Sequence, residues 1–293
     1  MSLPEVLAVY GPTASGKTAV AEALADELGT EVVSADAMQL YDGLPILTNQ
    51  PDRPARLVAV WPLSHEGSVA EYSELAHAAL DELVDRAGTA VVAGGTGLYL
   101  RAALADLRLP PAPEEGARVR WEAAYDADPQ AAFAELRRSD PAAATLVHPN
   151  DRRRVVRALE LAEAGASLAP EEDRLWATRT RRQTLVAGLD VPRHILERRI
   201  EERTSAMFER GVVEEVRKAL QGPISATAEK ALGLREIAEL TPEDAREAVI
   251  RRTLRYAAYQ RKWMRRIPGV VMIEAGRSPA EVADAILEVA RAR

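Results

Sequence analysis

The sequence contains no cysteine, which excludes disulfides, thiol nucleophiles and cysteine-ligated zinc for this chain. Aromatic residues are also scarce, at 4% of 293 residues, so aliphatic side chains must supply most of the core, and a hydrophobic content of 47% is enough to build one. The four histidines are scattered, without the spacing of metal ligands. The chemistry of this protein must therefore depend on carboxylates, hydroxyls, amines and guanidinium groups.

Long apolar runs are missing as well. No stretch approaches the roughly 20 apolar residues that a membrane-spanning helix needs. The first five residues lead directly into a strand-like segment, without the basic and apolar parts of a signal peptide. We therefore expect a cytoplasmic protein that does not bind membranes, and the sequence indicates no obligate protein partner.

Positive charge is unevenly distributed. The net charge of −7 argues at first against nucleic-acid binding. Basic residues nevertheless cluster at 152–157 and 179–182, and seven stand between Arg251 and Arg266 without one acidic residue. Only four of the 38 basic residues are lysine; arginine suits bidentate recognition of phosphate, although a compositional bias explains the same count. The local clusters bear on function, whereas the total charge does not.

Apolar runs typical of buried strands alternate with helical patterns. The strand-like runs lie at 5–10, 31–33, 89–93, 184–190 and 270–274, and the clearest helical patterns lie at 17–28, 71–86 and 242–266. This alternation predicts an α/β fold with a phosphate-loop-containing parallel sheet core flanked by helices.

A change of composition predicts an insertion in that core. Residues 109–113 form a proline-rich linker, and only helical segments follow as far as residue 183. We predict a first part of the core at 1–110, an inserted all-helical domain at 111–183, and the second part of the core at 184–293.

The strongest motif follows the first strand. Its spacing is G-x-x-x-x-G-K-[ST], between a strand and a helix as a phosphate-binding loop requires. Backbone N–H groups and the helix N-terminus bind phosphate oxygens in such a loop, with Lys17 reaching the outer phosphate and the Thr18 hydroxyl binding Mg²⁺. The loop residues predicted to bind a diphosphate or a triphosphate are Gly11, Pro12, Thr13, Ala14, Ser15, Gly16, Lys17 and Thr18.

Two further residues are candidates for the same site. Asp36 ends the second strand, and the carboxyl ends of parallel strands face one crevice. Arg203 shares a helical face with the apolar residues Leu196 and Ile200. A buried arginine needs an anionic partner, and a diphosphate would be one. Alternatively, its stem packs while its head reaches water or a glutamate.

Basic and aromatic side chains form adjacent stripes on the 242–266 helix. One stripe holds Arg252, Tyr256, Tyr259 and Trp263, and the other Arg251, Arg255, Lys262 and Arg266. Such stripes suit an RNA backbone, whereas core packing beside a solvated charged face is more common in general. We expect the aromatic side chains mainly to pack within the protein, and Arg255 and Lys262 to contact RNA. The same interpretation applies to Arg152, Arg153 and Arg154.

Several motifs together are similar to the tRNA dimethylallyltransferase family. They are the phosphate loop at 11–18, Ser-Ala-Asp-Ala-Met-Gln-Leu-Tyr at 34–41, Gly-Gly-Thr-Gly-Leu-Tyr-Leu at 94–100, and the segments 150–160, 203–211 and 255–263. They occur in the family's order and extend over most of the chain. The loop is shared by many enzymes, whereas its combination with the second and third motifs is far more specific.

The resemblance implies transfer of a dimethylallyl group from dimethylallyl diphosphate to N6 of the adenine 3′-adjacent to the anticodon of tRNA. It implies a base flipped into a channel, Asp36 as general base, and Thr13 and Arg203 at the departing diphosphate, with Mg²⁺ as cofactor. The residues implied at the tRNA are Asp36, Ala37, Met38, Gln39, Thr96 and Arg118.

The chain departs from the family pattern in places that bear on tRNA contact. Ala37 stands where the family usually has serine, residues 47–51 lack a lysine of the family's Gly-Thr-Ala-Lys-Pro, and a His-His pair is reduced to His65. Two other functions also fit a phosphate loop: a small-molecule kinase, in which Asp36 would deprotonate an alcohol, and a non-catalytic, RNA-binding nucleotide switch.

Overall fold

The protein divides into two compact units. The computed structural model describes residues 3–107, 114, 116–169, 175 and 177–293. One unit comprises Met1–Leu107 with Leu175–Arg293, and the other is Arg108–Arg174. The proline-rich linker predicted at 109–113 lies outside the described residues.

Five parallel strands form one sheet in the first unit. The strands are β1 (Val6–Tyr10), β2 (Val32–Ser34), β3 (Ala90–Gly94), β4 (Thr184–Asp190) and β5 (Val271–Glu274). Their order is β2-β3-β1-β4-β5, and every pairing is parallel. The predicted α/β class with a parallel sheet is confirmed.

Helices cover both faces of this sheet or form the second unit. In chain order they are α1 (Lys17–Leu28), α2 (Val69–Ala87), α3 (Gly97–Leu104), α4 (Ala117–Ala127), α5 (Pro129–Ser139), α6 (Pro141–Leu146), α7 (Arg152–Glu163), α8 (Arg193–Glu209), α9 (Val212–Ala219), α10 (Leu234–Glu239), α11 (Pro242–Met264) and α12 (Pro279–Arg291). Across the part of the chain that the structure describes, no helix has the length and apolar character that a membrane crossing needs.

Alternate residues of β1 point into two separate cores. Val6 and Ala8 pack with residues of α2 and α3, whereas Leu7 and Val9 pack with residues of α1 and α12. Successive side chains of a strand point to opposite faces, so a strand covered by helices on both sides is apolar throughout. This arrangement explains why the strands read as continuous apolar runs, and it buries the sheet whose carboxyl edge carries the candidate site.

Aspartate–proline pairs set the helix starts in the second unit. Asp128 caps α5 by accepting the N–H groups of Gln130 and Ala131, and Asp140 caps α6 by accepting the N–H of Ala143. Proline follows each aspartate because the first helical position needs no N–H donor. The described residues between 116 and 163 form helices and turns, as the all-helical insertion predicted.

The second boundary of the insertion lies earlier than the predicted residue 183. The compact second unit ends at Arg174, and the residues that follow belong to the first unit. The N–H of Arg181 donates to the Leu104 carbonyl at 2.9 Å. The side chains of Arg181 and Arg182 both pair with Asp81 on α2. These contacts hold the segment before β4 on the core, and they account for two of the three basic residues of the 179–182 cluster, Arg181 and Arg182.

We expect Asp140→Ala to destabilise the second unit more than Asp128→Ala. Loss of a helix cap costs about 1 kcal/mol. Asp140 is buried and also accepts a hydrogen bond from the Ser167 hydroxyl at 2.6 Å, so its replacement should cost about 2 kcal/mol in total. Amide hydrogen exchange across residues 116–169 measures both. Equal effects of the two variants would contradict the role of the Ser167 contact.

Candidate active site

Left-handed backbone angles and a backbone hydrogen bond set the conformation of the phosphate loop. Gly16 has φ +86°, in the left-handed region that favours glycine, and Ala14 adopts φ +64°. The N–H of Ser15 closes a turn onto the Pro12 carbonyl at 3.1 Å. Helix α1 starts without a side-chain cap and without an acidic residue in its first turn. Its N-terminal N–H groups therefore face the loop, as an anion site requires.

Cationic side chains line a cavity at this loop, and no carboxylate is among the described residues that line it. A cavity of about 390 Å³ is lined by the loop together with Arg199, Arg203 and Arg277. Nε of Arg203 is buried and, within the described residues, has no hydrogen-bond partner; the same holds for Oγ of Ser15. Burial lowers the pKa of the Lys17 ammonium and of the Arg203 guanidinium, and Asp36 opposes this shift in both. Partly buried cations in this state are suited to an anionic ligand.

Asp36 lies beside these cations. It shares a cavity of about 150 Å³ with Lys17 and Thr18, and Ser34 lines the same cavity. Its Oδ1 accepts the N–H of Met38 at 3.1 Å, which fixes the carboxylate at the end of β2. Oδ2 accepts no hydrogen bond from the residues that the structure describes, so this oxygen is available to a ligand.

Three tyrosines lie within electrostatic range of Asp36. Burial is the main cause of the raised pKa of Tyr72, Tyr99 and Tyr256, and the Asp36 charge contributes to each. The pKa of Tyr256 rises to about 12. These hydroxyls therefore stay protonated at neutral pH, so none of the three tyrosines can act as the base.

The turn after β3 joins the loop to α11. Gly95 lies so close to α11 that a Cβ atom there would come within 2.3 Å of the Gln260 side-chain nitrogen. The next residue, Thr96, is the N-cap of α3, and its hydroxyl lies 3.3 Å from that of Tyr256. Three separate segments of the chain therefore meet at the carboxyl edge of the sheet.

Sequence reasoning missed Gln260 and undervalued Tyr256. Gln260 is 1% exposed, and its side chain accepts the N–H of Thr13 and donates to the Gly95 carbonyl. Tyr256 was expected mainly to pack, yet its hydroxyl reaches Thr96. A signal existed: Thr253, Ala257, Gln260 and Met264 share a helical face, and a glutamine on an otherwise buried face needs polar partners.

The predicted tRNA residues after β2 have different surroundings. Ala37 is buried in the core, and the Met38 N–H is bonded to Asp36. The Gln39 side chain is engaged within the fold: its amide nitrogen donates to the Asn49 carbonyl at 2.8 Å, and its oxygen accepts from Ser34. Gln39 thus positions the 48–49 backbone, and its contact with a nucleotide stays a prediction.

The basic residues predicted at tRNA in the second unit divide into two groups. Arg118 pairs with the buried carboxylate of Glu160 at 2.8 Å, and Arg152 pairs with Asp126 at 2.6 Å. Those partners occupy both side chains. Arg153 and Arg154 are exposed and, within the described residues, form no ion pair, which leaves them the better placed for phosphate.

The same division holds along α11. Arg251 pairs with Glu247, and Arg252 with Glu236. Arg255 and Lys262 are exposed and have no acidic partner among the described residues. The two that were predicted to contact RNA are thus among the described basic residues of α11 that have no acidic partner.

The fold and this site define a phosphate-loop α/β protein with a cationic pocket and an adjacent carboxylate. The sequence model of the IPP transferase family matches residues 39–267, and that of isopentenyl transferase matches residues 4–54. The chain belongs to the IPP transferase family.

Related proteins of known name agree with this membership. A tRNA dimethylallyltransferase of Salinispora arenicola is 38% identical over 97% of this chain and 86% of its own length. Another, of Acidothermus cellulolyticus, is 37% identical over 100% of this chain and 93% of its own. The crystal structure of the full-length tRNA isopentenylpyrophosphate transferase of Bacillus halodurans has a TM-score of 0.70 and 30% identity, and the match covers 98% of this chain and 96% of that one.

We expect Arg203→Met to weaken binding of inorganic diphosphate without lowering thermal stability. A charge-assisted hydrogen bond contributes about 1.5–3 kcal/mol, so the dissociation constant should rise at least about tenfold. Removing a cation whose Nε is buried and unpartnered should leave the melting temperature unchanged or higher.

Calorimetry and melting curves measure these two effects. The matched control is Arg198→Met on the same helix, where the arginine is exposed and pairs with Glu202. A stable Arg203→Met variant that binds diphosphate like the control would exclude Arg203 from the anion site.

Proposed function

We propose that this protein transfers a dimethylallyl group from dimethylallyl diphosphate to N6 of the adenine 3′-adjacent to the anticodon of tRNA, giving N6-(dimethylallyl)adenosine. Family membership and the named relatives support this reaction. The observation that carries the mechanism is the position of Asp36, whose carboxylate shares a cavity with Lys17 and Thr18 of the phosphate loop.

The loop side of the site acts on the leaving group. As the bond between C1 and the diphosphate oxygen breaks, that oxygen keeps the bonding electron pair and negative charge grows on the diphosphate. Lys17, Arg203 and the N–H groups at the start of α1 stabilise this charge, and they need no reorganisation because the loop already holds them in place. The Thr13 hydroxyl is a further donor to the departing diphosphate.

Asp36 acts on the nucleophile. The exocyclic amine of adenine is a weak nucleophile, and it must lose a proton as the N6–C1 bond forms. Asp36 accepts that proton through Oδ2, which has no hydrogen-bond partner among the described residues, while the Met38 N–H holds Oδ1. Inorganic diphosphate and alkylated tRNA are then the two products.

The adenine must leave its stacked position to react. Asp36 lines a cavity of about 150 Å³ at the sheet edge, where a stacked base of an RNA loop cannot enter. Enzymes that modify a base in such surroundings extrude it from the stack. We propose the same for this adenine, with Thr96 and residues 36–39 around the entering nucleotide.

A divalent cation fits the donor set beside the loop. The Thr18 hydroxyl lines the cavity beside the loop and would bind the ion, since Mg²⁺ is usually held by one or two protein oxygens together with substrate phosphates and water. The free oxygen of Asp36 is kept for the proton of the amine. Among the described residues there is no cluster of three or more acidic, histidine or cysteine side chains that would form a complete protein cage. Mg²⁺ bound here would neutralise charge on the diphosphate.

Exposed cations supply the contact with tRNA in this proposal. Arg153, Arg154, Arg255 and Lys262 carry unneutralised charge, and phosphate contacts of this kind supply most of the affinity for a nucleic acid. Arg118 and Arg152 contribute less, because carboxylates already bind them. The expectations of a cytoplasmic location and of no obligate protein partner stay predictions.

The two alternative functions are less well supported. A kinase would use Asp36 to deprotonate an alcohol that attacks a γ-phosphate, and it gives no role to the free cations of α11. A nucleotide switch gives no role to a carboxylate beside the phosphate loop. Family membership also favours the transferase over both.

We expect Asp36→Asn to lower kcat for tRNA alkylation by about 10²–10⁴-fold. The amide oxygen can still accept the Met38 N–H, so the local geometry and the KM for dimethylallyl diphosphate should change little. Transfer of radiolabelled dimethylallyl to unmodified tRNA measures both constants. Asp42→Asn, at an exposed aspartate of the following turn, is the control. Wild-type kcat in the Asp36 variant would remove the general base from the mechanism.

We expect Arg255→Glu to raise the KM for tRNA by about tenfold and to leave that for dimethylallyl diphosphate unchanged, because reversing one phosphate contact affects only the nucleic acid. Lys218→Glu makes the same charge change at an exposed residue of a different helix, α9. Steady-state kinetics with each substrate varied in turn separates the two constants. If both rise equally, or if Lys218→Glu has the same effect, α11 does not contact tRNA.

A further inference from the structure

We infer that Gln260 is a positioning residue for the transfer reaction, because its side chain ties Thr13 of the phosphate loop to α11, the helix that carries Arg255 and Lys262. The inference rests on the proposed function. It assigns a role to a buried side chain that neither the leaving-group chemistry nor the proton transfer uses.

The contacts of Gln260 bridge two loops of the site. Its Oε1 accepts the N–H of Thr13 at 2.8 Å, and its Nε2 donates to the Gly95 carbonyl at 2.8 Å. The Tyr10 hydroxyl donates to the same Gly95 carbonyl at 3.1 Å and lies 3.4 Å from the Gln260 carbonyl. With 1% of Gln260 exposed, water cannot replace these partners, so the bridge is fixed in the folded protein.

This bridge changes how the phosphate loop can act. In such loops the backbone N–H groups turn inward to bind phosphate oxygens. The N–H of Thr13 instead points to Gln260, so Thr13 can offer only its hydroxyl to the diphosphate. The orientation of that hydroxyl depends on the backbone of Thr13, and Gln260 is what holds this backbone.

The face of α11 opposite Gln260 is exposed to solvent. Arg255 and Lys262 are exposed on the same helix, within two turns of Gln260. One turn before Gln260, Tyr256 contacts Thr96, the residue after Gly95. A shift of this helix on binding tRNA would therefore be passed to the leaving-group loop and to the turn at 95–96 together. An error of about 1 Å in such positioning can lower a rate by about 10²-fold.

Gln260→Met keeps the length of the side chain and removes both hydrogen bonds. We expect kcat for tRNA alkylation to fall by about 10²-fold, with the KM values of tRNA and dimethylallyl diphosphate within about threefold of wild type. Thr253→Val is the matched control, since Thr253 is also a buried polar residue on the same face of α11 but does not reach the loop. The control should keep wild-type kcat.

Gln260→Glu gives a readout that a merely structural residue would not affect. Protonated, the glutamic acid can accept from the Thr13 N–H and donate to the Gly95 carbonyl, as glutamine does. Ionised, it has no proton to donate and repels that carbonyl. Burial favours the protonated form. The ratio of its kcat to that of wild type should therefore rise as pH falls, whereas the ratio for Gln260→Met should stay low at every pH.

The outcomes separate this inference from the function on which it rests. If wild-type enzyme alkylates no tRNA, the proposed function fails. If wild type is active and Gln260→Met keeps its kcat, or loses activity only through the KM for tRNA, the positioning role is wrong. If Gln260→Met does not fold, the glutamate variant decides: a kcat ratio independent of pH overturns the inference, and a ratio that rises toward acid pH supports it.

Discussion

The rest of the site depends on cationic side chains that lie beside the phosphate loop and have no ion-pair partner among the described residues. Lys17 and Arg203 lie close enough to Asp36 to feel its charge, yet the buried Nε of Arg203 has no partner among the described residues. Burying such a cation without a counter-charge raises the free energy of the folded protein. In the proposed function, binding of the diphosphate would offset this cost, because its negative charge would neutralise these cations.

The parallel sheet explains why the other groups come to the same place. The strands β1, β2 and β3 are neighbours, and all three end at one edge. The loop follows β1, Asp36 follows β2, and Thr96 follows β3. Residues far apart in sequence thus meet because parallel strands share a carboxyl edge. Helix α11 closes the arrangement, since Gln260 binds the backbone of both the first and the third of these segments.

The bounds of several helices and strands could be predicted from the sequence, because there the local pattern of residues agrees with their packing in the fold. The helix at 17–28 and the strand at 184–190 have the predicted bounds, because apolar periodicity and glycine turns define them. Asp36 was predicted to face the crevice because it ends the second strand of a parallel sheet. Gln260 was not found, because a single glutamine in a helix gives no local sign of which backbone groups it binds. The end of the insertion was also misplaced, because the pairing of Arg181 and Arg182 with Asp81 joins residues about 100 positions apart.

In the proposed reaction, the diphosphate bound by the loop leaves as an adenine is alkylated. The most direct measurement follows diphosphate release and label transfer in the same reaction, with wild-type protein, Mg²⁺, radiolabelled dimethylallyl diphosphate and unmodified tRNA, and maps the labelled nucleoside. The account predicts one diphosphate released for each dimethylallyl group found on N6 of the adenine 3′-adjacent to the anticodon. Diphosphate released without labelled tRNA, or label at another atom or another nucleotide, would contradict it.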